Sequence, residues 1–182
     1  YLPGKVLHID GDEDYLKRCM SFYKKLNIMA YGLCLKEVDI KTEIKSYLEK
    51  LSPDIVVITG HDAYYKRKGS TDNVMNYKNT SNFIDAVKVA RNYEKNQDKL
   101  IIIAGACQSN YEELIKAGST FASSPKRINI HALDPAIIAS YLALYDRNKT
   151  VDLIDLLGKT KSGSEGMGGV VTKGCMFVGY PR

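Results

Sequence analysis

A histidine and a cysteine each follow a strongly apolar run of this sequence. His61 comes directly after VVITG, and Cys107 comes 46 positions later, directly after IIIAGA. A cysteine thiolate is a nucleophile, and an imidazole close to it can take or give the proton that acyl transfer requires. If the two apolar runs are neighbouring parallel strands, their ends place both side chains at one edge of a sheet. The pair therefore predicts thiol-dependent acyl transfer.

The other cysteines and histidines have simpler interpretations. Cys19 falls in a predicted helix, Cys34 in a predicted strand and Cys175 in an apolar run, which are positions typical of inert core thiols. His8 lies within the first predicted strand and is expected to be packed, whereas His131 is a minor candidate for the same sheet edge. Because the four cysteines form no CxxC pair, we expect neither disulfides nor a structural zinc site, and no metal or cofactor.

Short apolar runs alternate with segments of helical periodicity along the chain. Strands are predicted over 5–10, 30–35, 54–59, 100–104 and 120–123, and helices over 14–26, 40–51, 80–96, 111–117 and 135–145. This alternation predicts an α/β fold with a doubly wound, mostly parallel sheet, helices on both faces and the strand order 2-1-3-4-5. Functional sites in such sheets lie beyond the carboxyl ends of the strands, where Asp10, Asp12, His61 and Cys107 occur.

The sequence predicts a single domain over 1–182. Residues 158–169, GKTKSGSEGMGG, have the composition of a mobile loop, and the apolar run over 170–178 is predicted to be an edge strand. A polar, aperiodic stretch from 60 to 77 predicts a second long loop. Since the sequence begins at Tyr1 without a methionine, we expect it to be a piece of a longer protein.

The composition excludes several function classes. Of the 182 residues, 45% are hydrophobic, and 26 Lys and Arg against 21 Asp and Glu give a net charge of +5. The basic residues are scattered, and the densest run, Lys66-Arg67-Lys68, is typical of a solvated loop, so we expect no nucleic-acid partner. No apolar run is long enough to span a bilayer and no signal peptide is visible, so we expect a soluble protein without a membrane partner.

The sequence around the cysteine also carries a family resemblance. The run GACQ at 105–108, with a histidine about 50 residues before it, resembles the caspase, legumain, gingipain and clostripain clan of cysteine peptidases. That clan has glycine after the histidine, where this chain has Asp62. Most of the chain further resembles the sporulation-specific YabG protease family of spore-forming bacteria, through VVITGHDA (56–63), NYKNTSNFIDAVKVAR (76–91) and IIIAGACQSNYEELI (101–115).

The resemblance implies a caspase-like fold and a cysteine protease that cleaves spore coat and germination proteins after arginine. It implies that the protein acts late in sporulation, that it is intracellular in the sporulating bacterium, and that it is associated with the coat and cortex region of the developing spore. It also implies Cys107 as nucleophile, His61 as base and acid, and an oxyanion hole formed by the backbone N–H groups of Cys107 and Asp62. An arginine substrate needs a carboxylate partner, for which Asp10 and Asp12 are candidates, although Asp12 alternatively caps the first helix.

Other interpretations remain open. Arg182 at the end of the sequence is compatible with self-cleavage after arginine. A receiver-type signalling domain shares the predicted order of elements, but this chain has Thr59 where receivers carry the phosphoacceptor aspartate. In a binding module without catalysis, Cys107 would be a buried thiol. An amidase or another thiol-dependent acyl transferase would use the same pair of residues on a different substrate.

Overall fold

The computed structural model describes residues 1–179, which contain six strands and seven α-helices. The strands are β1 (Val6–Asp10), β2 (Ala30–Cys34), β3 (Ile55–Thr59), β4 (Ile101–Ala104), β5 (Phe121–Ser123) and β6 (Met167–Gly169). The helices are α1 (Glu13–Lys25), α2 (Ile40–Leu51), α3 (Thr80–Tyr93), α4 (Tyr111–Ala117), α5 (Asp134–Ala143), α6 (Leu153–Gly158) and α7 (Gly163–Gly166). The strands form a single sheet in the order β2-β1-β3-β4-β5-β6.

The centre of the sheet is buried on both faces. Every residue of β3 is buried, as its nearly continuous β-branched sequence predicts. Ile55 and Val57 pack with side chains of α1 and α5, whereas Val56 and Ile58 pack with side chains of α2 and α3. Because successive side chains of a strand point to opposite faces, helices cover both sides. The predicted α/β architecture with helices flanking the sheet is confirmed.

The predicted strand order is incomplete at one edge. Strands β1 to β5 are parallel, but β6 pairs antiparallel with β5, which makes the sheet mixed. Residues 158–169, predicted as a loop from their composition, include α7 and β6. The glycines there have a packing reason, because a Cβ on Gly169 would collide with the ring of Phe121. Glycine at position 169 therefore allows the backbone of β6 to pack closely against Phe121 of β5.

The predicted edge strand over 170–178 is wrong. That segment makes isolated bridges, between Lys173 and Thr150 and between Phe177 and Leu2. These bridges join the segment to separate parts of the chain, and within it Cys175 is buried whereas Val171 and Phe177 are exposed.

Four further expectations concern the domain, the topology, the chain terminus and the membrane. The single domain over 1–182 and the caspase-like topology stay predictions. Arg182, the residue of the predicted self-cleavage, lies outside the described residues. No helix within residues 1–179 is both long enough and apolar enough to cross a membrane.

Candidate active site

His61 and Cys107 follow two strands that are direct neighbours in the sheet. The pairing of β3 with β4 aligns Ile58 with Ala104. It continues past the strands, because the Thr59 hydroxyl donates a 2.7 Å hydrogen bond to the Gly105 carbonyl. Two residues further along each segment come His61 and Cys107. The structure therefore brings both predicted catalytic residues to the carboxyl edge of the sheet.

Cys107 sits on a tight turn between β4 and α4. Its side chain is half-buried, and its Sγ lies 3.3 Å from the backbone N of Ile130 and 3.7 Å from the Ile130 carbonyl oxygen. The next residue, Gln108, has a left-handed backbone with a φ of 61°. The Gln108 N–H donates to both the Ser124 hydroxyl (2.9 Å) and the Ile128 carbonyl (3.0 Å), which stabilises this conformation. The turn holds the thiol at the edge of the sheet.

A small cavity opens beside the thiol. It has a volume of about 50 Å³ and is lined by Asp10, Tyr15, Thr59, Gly60, Ala106, Cys107, Ile130, Ala132 and Pro135. Ligand pockets usually measure several hundred Å³. This cavity is therefore smaller than a typical ligand pocket.

The ring of His61 lies between two carboxylates. Its Nε2 is 3.0 Å from Oδ2 of Asp12, and its Nδ1 is 3.2 Å from Oε2 of Glu37. The ring of Tyr15 lies nearby, with 5.9 Å between the ring centroids. No hydrogen bond joins His61 to Cys107 in the part of the chain that the structure describes. The two side chains share one sheet edge, and each has its own partners there.

The two predicted specificity residues lie in different environments. Asp10 is buried at the end of β1, where its Oδ1 accepts a 2.9 Å hydrogen bond from the Asp12 N–H and its Oδ2 is 3.8 Å from His8 Nε2. Asp12 is the N-cap of α1 and accepts from the Tyr15 N–H, so the capping interpretation is confirmed. That hydrogen bond, and to a smaller extent the contact with His61, lowers the pKa of Asp12. Of the two, only Asp10 lines the cavity.

The side chain of Asp62 connects the histidine loop to the cysteine turn. Its Oδ1 accepts from the backbone N–H groups of Ala63 (2.9 Å) and Asn79 (2.7 Å). Its Oδ2 accepts from the hydroxyls of Thr80 and, at 2.7 Å, Ser109. Burial raises the pKa of Asp62, and these four hydrogen bonds oppose that effect.

The connection from Asp62 reaches the nucleophile turn through Ser109. The Ser109 hydroxyl accepts a 2.9 Å hydrogen bond from the N–H of Ala106, which directly precedes Cys107. A second link runs from the Tyr64 N–H to the side-chain oxygen of Gln108, at 3.1 Å. Within residues 1–179, neither the Cys107 N–H nor the Asp62 N–H donates a hydrogen bond. The sequence named Asp62 only for its backbone, and the structure adds a buried carboxylate that joins the two loops.

The remaining cysteines differ from one another in exposure. Cys19 and Cys175 are buried, and this burial raises the pKa of each thiol to about 12, as expected for inert core thiols. Cys34 is exposed, so its predicted place in the core is wrong. The reason is that β2 is the edge strand of the sheet, where side chains face solvent.

The remaining histidines have structural contacts. His8 is buried, and its Nδ1 is 2.7 Å from the hydroxyl of Tyr23, which confirms the packed position predicted for it. The exposed His131 accepts a hydrogen bond from the Leu133 N–H on its Nδ1 just before α5, and in the described part of the chain no hydrogen bond links it to Cys107. Residues 1–179 hold no group of three or more His, Cys, Asp or Glu residues arranged to bind a metal ion.

Sequence reasoning missed Glu37. This residue begins a 3₁₀ turn that follows β2, between the strand predicted over 30–35 and the helix predicted over 40–51. Its carboxylate contacts both the ring and the backbone of His61. No sequence signal identifies it, because the contact joins residues 24 positions apart through the order of the strands.

Comparison with known proteins places the chain in a class of peptidases. The model of the family described as YabG peptidase U57 matches residues 1–181, and the chain belongs to this family. The Sporulation-specific protease YabG of Bacillus subtilis (strain 168) is 44% identical over 181 residues. That alignment covers 100% of this chain and 62% of the relative, so the chain spans less than two thirds of the relative's length.

A solved structure shows only a weak likeness. A dTDP-4-dehydrorhamnose reductase from Clostridium acetobutylicum ATCC 824 matches with a TM-score of 0.36 and 13% identity, over 54% of this chain and 34% of that chain. A likeness of this size supports no inference about the fold or the function.

Proposed function

We propose that this chain is the peptidase domain of a sporulation protease and that it cleaves proteins by a Cys107–His61 mechanism. The observation that carries the proposal is the place of Cys107. It lines a cavity at the sheet edge and follows β4, the strand that pairs with β3, which His61 follows. Membership of a peptidase family and the identity to a sporulation protease support it. The substrates that we propose are spore coat and germination proteins, cleaved in the sporulating cell near the developing spore.

The mechanism follows the chemistry of thiols. The Cys107 thiolate attacks the carbonyl carbon of the scissile peptide bond, and its Sγ forms a covalent bond to that carbon. The carbon–nitrogen bond then breaks as His61 gives its proton to the leaving amine. Water, deprotonated by His61, attacks the resulting thioester and releases the carboxylic acid and the free thiol.

The oxyanion of the tetrahedral intermediate is held by the backbone N–H groups of Cys107 and Asp62. Both groups lack a hydrogen-bond partner within residues 1–179, which supports this role. Donors that are held in place before the reaction are worth several kcal/mol to such a step. The hydrogen bonds of Asp62 and Ser109 hold the loop after β3 and the turn after β4 in fixed positions relative to each other, so that both N–H groups can reach the oxyanion.

Cleavage after arginine is the proposed specificity, with Asp10 as the partner of the guanidinium. Asp10 lines the cavity, and among residues 1–179 its Oδ2 has no closer polar partner than His8 Nε2 at 3.8 Å. Asp12, the other candidate, is already engaged by the Tyr15 N–H and by His61. These contacts favour Asp10 over Asp12.

Thiol reactivity separates this proposal from a binding module without catalysis. We expect iodoacetamide to alkylate Cys107 at least about tenfold faster than Cys34, because an imidazolium stabilises a thiolate. Cys34 is the matched control, since it is exposed, while desolvation and then the carboxylates of Glu13 and Asp10 raise its pKa. Rates would be measured by mass spectrometry of labelled peptides. Equal rates at the two cysteines would favour the binding module.

The specificity is tested with peptides that differ only in the residue before the scissile bond. We expect Asp10→Asn to lower kcat/KM for the arginine peptide by roughly 100-fold, about 3 kcal/mol, because the charged partner of a desolvated guanidinium is lost. Cleavage of a glutamine peptide should change little. Asp12→Asn serves as the comparison. If both variants keep the wild-type preference for arginine, neither residue forms the specificity pocket.

A further inference from the structure

Glu37 lies where three loops of the sheet edge meet. It is at the end of the connection from β2, beside the ends of β1 and β3, and its side chain is only 13% exposed. The residues after β2 stay close to β1, as the hydrogen bond from the Leu35 N–H to the Asp10 carbonyl shows. A carboxylate that is largely removed from water needs polar partners. Within the described residues, those partners belong to His61.

One oxygen of Glu37 makes two contacts with the same residue. Its Oε2 accepts a 2.7 Å hydrogen bond from the backbone N–H of His61 and lies 3.2 Å from Nδ1 of the ring. The first contact fixes the backbone just after β3, and the second fixes the rotation of the imidazole. Together they determine where the second ring nitrogen, Nε2, points.

Two glycines leave room for this carboxylate. A Cβ on Gly11, in the loop after β1, would collide with the Glu37 carboxylate. A Cβ on Gly60, directly before His61, would also lie too close to it. The carboxylate therefore occupies a slot between the loops that follow β1 and β3, and any larger residue at position 11 displaces it.

The chemistry of the ring gives the two carboxylates different roles. An ionised carboxylate only accepts hydrogen bonds, so Glu37 and Asp12 both bind the ring only when both nitrogens carry a hydrogen. This doubly protonated ring is the acid that protonates a leaving amine. Once Nε2 has given up its proton, it has no hydrogen for Asp12, but Nδ1 still donates to Glu37.

We propose that Glu37 is the positioning residue of the site, holding His61 through its backbone N–H and Nδ1 and so assigning proton transfer to Nε2. The inference rests on the proposed role of His61. Asp12 contacts Nε2 only before the proton leaves, whereas Glu37 orients the ring throughout the reaction. An imidazole base that is oriented by a third group is a general arrangement for nucleophilic catalysis.

Steady-state kinetics on the arginine peptide give the first test. We expect Glu37→Ala to lower kcat by about 100-fold and to leave KM within about twofold, because the ring loses its orientation and not the substrate contacts. Glu37→Gln should retain kcat within about tenfold, since one amide oxygen can still accept both hydrogen bonds. Gly11→Ala, which displaces the carboxylate without changing it, should also lower kcat. Glu43→Ala, an exposed glutamate of α2, is the control.

The ring nitrogens provide a readout that does not depend on activity. Long-range ¹H–¹⁵N spectra distinguish the two neutral tautomers, and loss of the signal in His61→Asn assigns it. At a pH where the ring is neutral, we expect the Nδ1–H tautomer in the wild type and in Glu37→Gln. In Glu37→Ala we expect the Nε2–H tautomer that free imidazole side chains prefer.

Each outcome bears on the proposal separately from the proposed function. A wild-type tautomer in Glu37→Ala, or a loss of kcat/KM that lies entirely in KM, overturns the role of Glu37. A wild-type protein that cleaves no peptide overturns the proposed function, while the tautomer of His61 still tests whether Glu37 holds the ring.

Discussion

Replacing Cys107 by alanine is expected to abolish peptide cleavage and to leave the fold intact. Loss of a covalent nucleophile lowers kcat by about 10⁶-fold in proteases whose catalytic residues act as a unit. The cost in stability should be below about 1 kcal/mol, because the side chain is half-buried and sulfur is a weak acceptor of the hydrogen bond that the Ile130 N–H donates to it. The measurements are kcat/KM on an arginine peptide and the midpoint of thermal unfolding.

The control for this variant is Cys34→Ala. Cys34 is exposed on the edge strand β2 and has no place in the proposed site, so its replacement should leave cleavage unchanged. His61→Ala should lose activity as Cys107→Ala does, while its thiol remains present for labelling. If Cys107→Ala keeps activity within tenfold of the wild type, Cys107 is not the nucleophile and the proposed mechanism is wrong.

Asp62→Asn is expected to destabilise the protein and to reduce catalysis at the same time. The buried carboxylate accepts four hydrogen bonds, and an amide nitrogen in place of Oδ2 would face the hydroxyls of Thr80 and Ser109 with a donor. Buried donors without an acceptor cost about 1–3 kcal/mol each, so we expect a loss of about 3 kcal/mol. In a domain of this size that loss lowers the midpoint of thermal unfolding by about 6–12 °C.

Two further variants test whether the effect of Asp62→Asn comes from the hydrogen-bond network of Asp62. Asp72→Asn changes an exposed aspartate of the loop between β3 and α3 and should leave both the unfolding midpoint and kcat unchanged. Ser109→Ala removes only the link between Asp62 and the Ala106 N–H, and should cost about 1–2 kcal/mol with a partial fall in kcat. An unfolding midpoint for Asp62→Asn within about 1 °C of the wild type would contradict the proposed network.

Much of the fold could be predicted from the sequence, because the relevant information is local. The bounds of α2 and α4 agree with the predicted 40–51 and 111–117, since apolar residues at helical spacing and nearby helix-ending residues define them. The buried strands β3 and β4 follow from runs of β-branched residues. Because β3 and β4 are predicted to be parallel neighbours, the residues that follow them, His61 and Cys107, are predicted to lie at one edge of the sheet.

Other features could not be predicted, because they depend on contacts between distant residues. Cys34 is exposed since β2 lies at the edge of the sheet formed by the described residues, which the composition of the strand does not reveal. Strand β6 has the composition of a mobile loop, because the glycines that admit close packing are the same residues that make a free chain flexible.

The sequence by itself therefore determined the class of fold, the two residues that can form a thiol–imidazole pair and, through its motifs, the family. Only the tertiary structure decided the surroundings of that pair. Glu37, Asp12 and His61 come from three loops and meet because β2, β1 and β3 are neighbours in the sheet. Side-chain periodicity and burial are encoded within a few residues, whereas the partners of an individual side chain depend on which loops the sheet brings together.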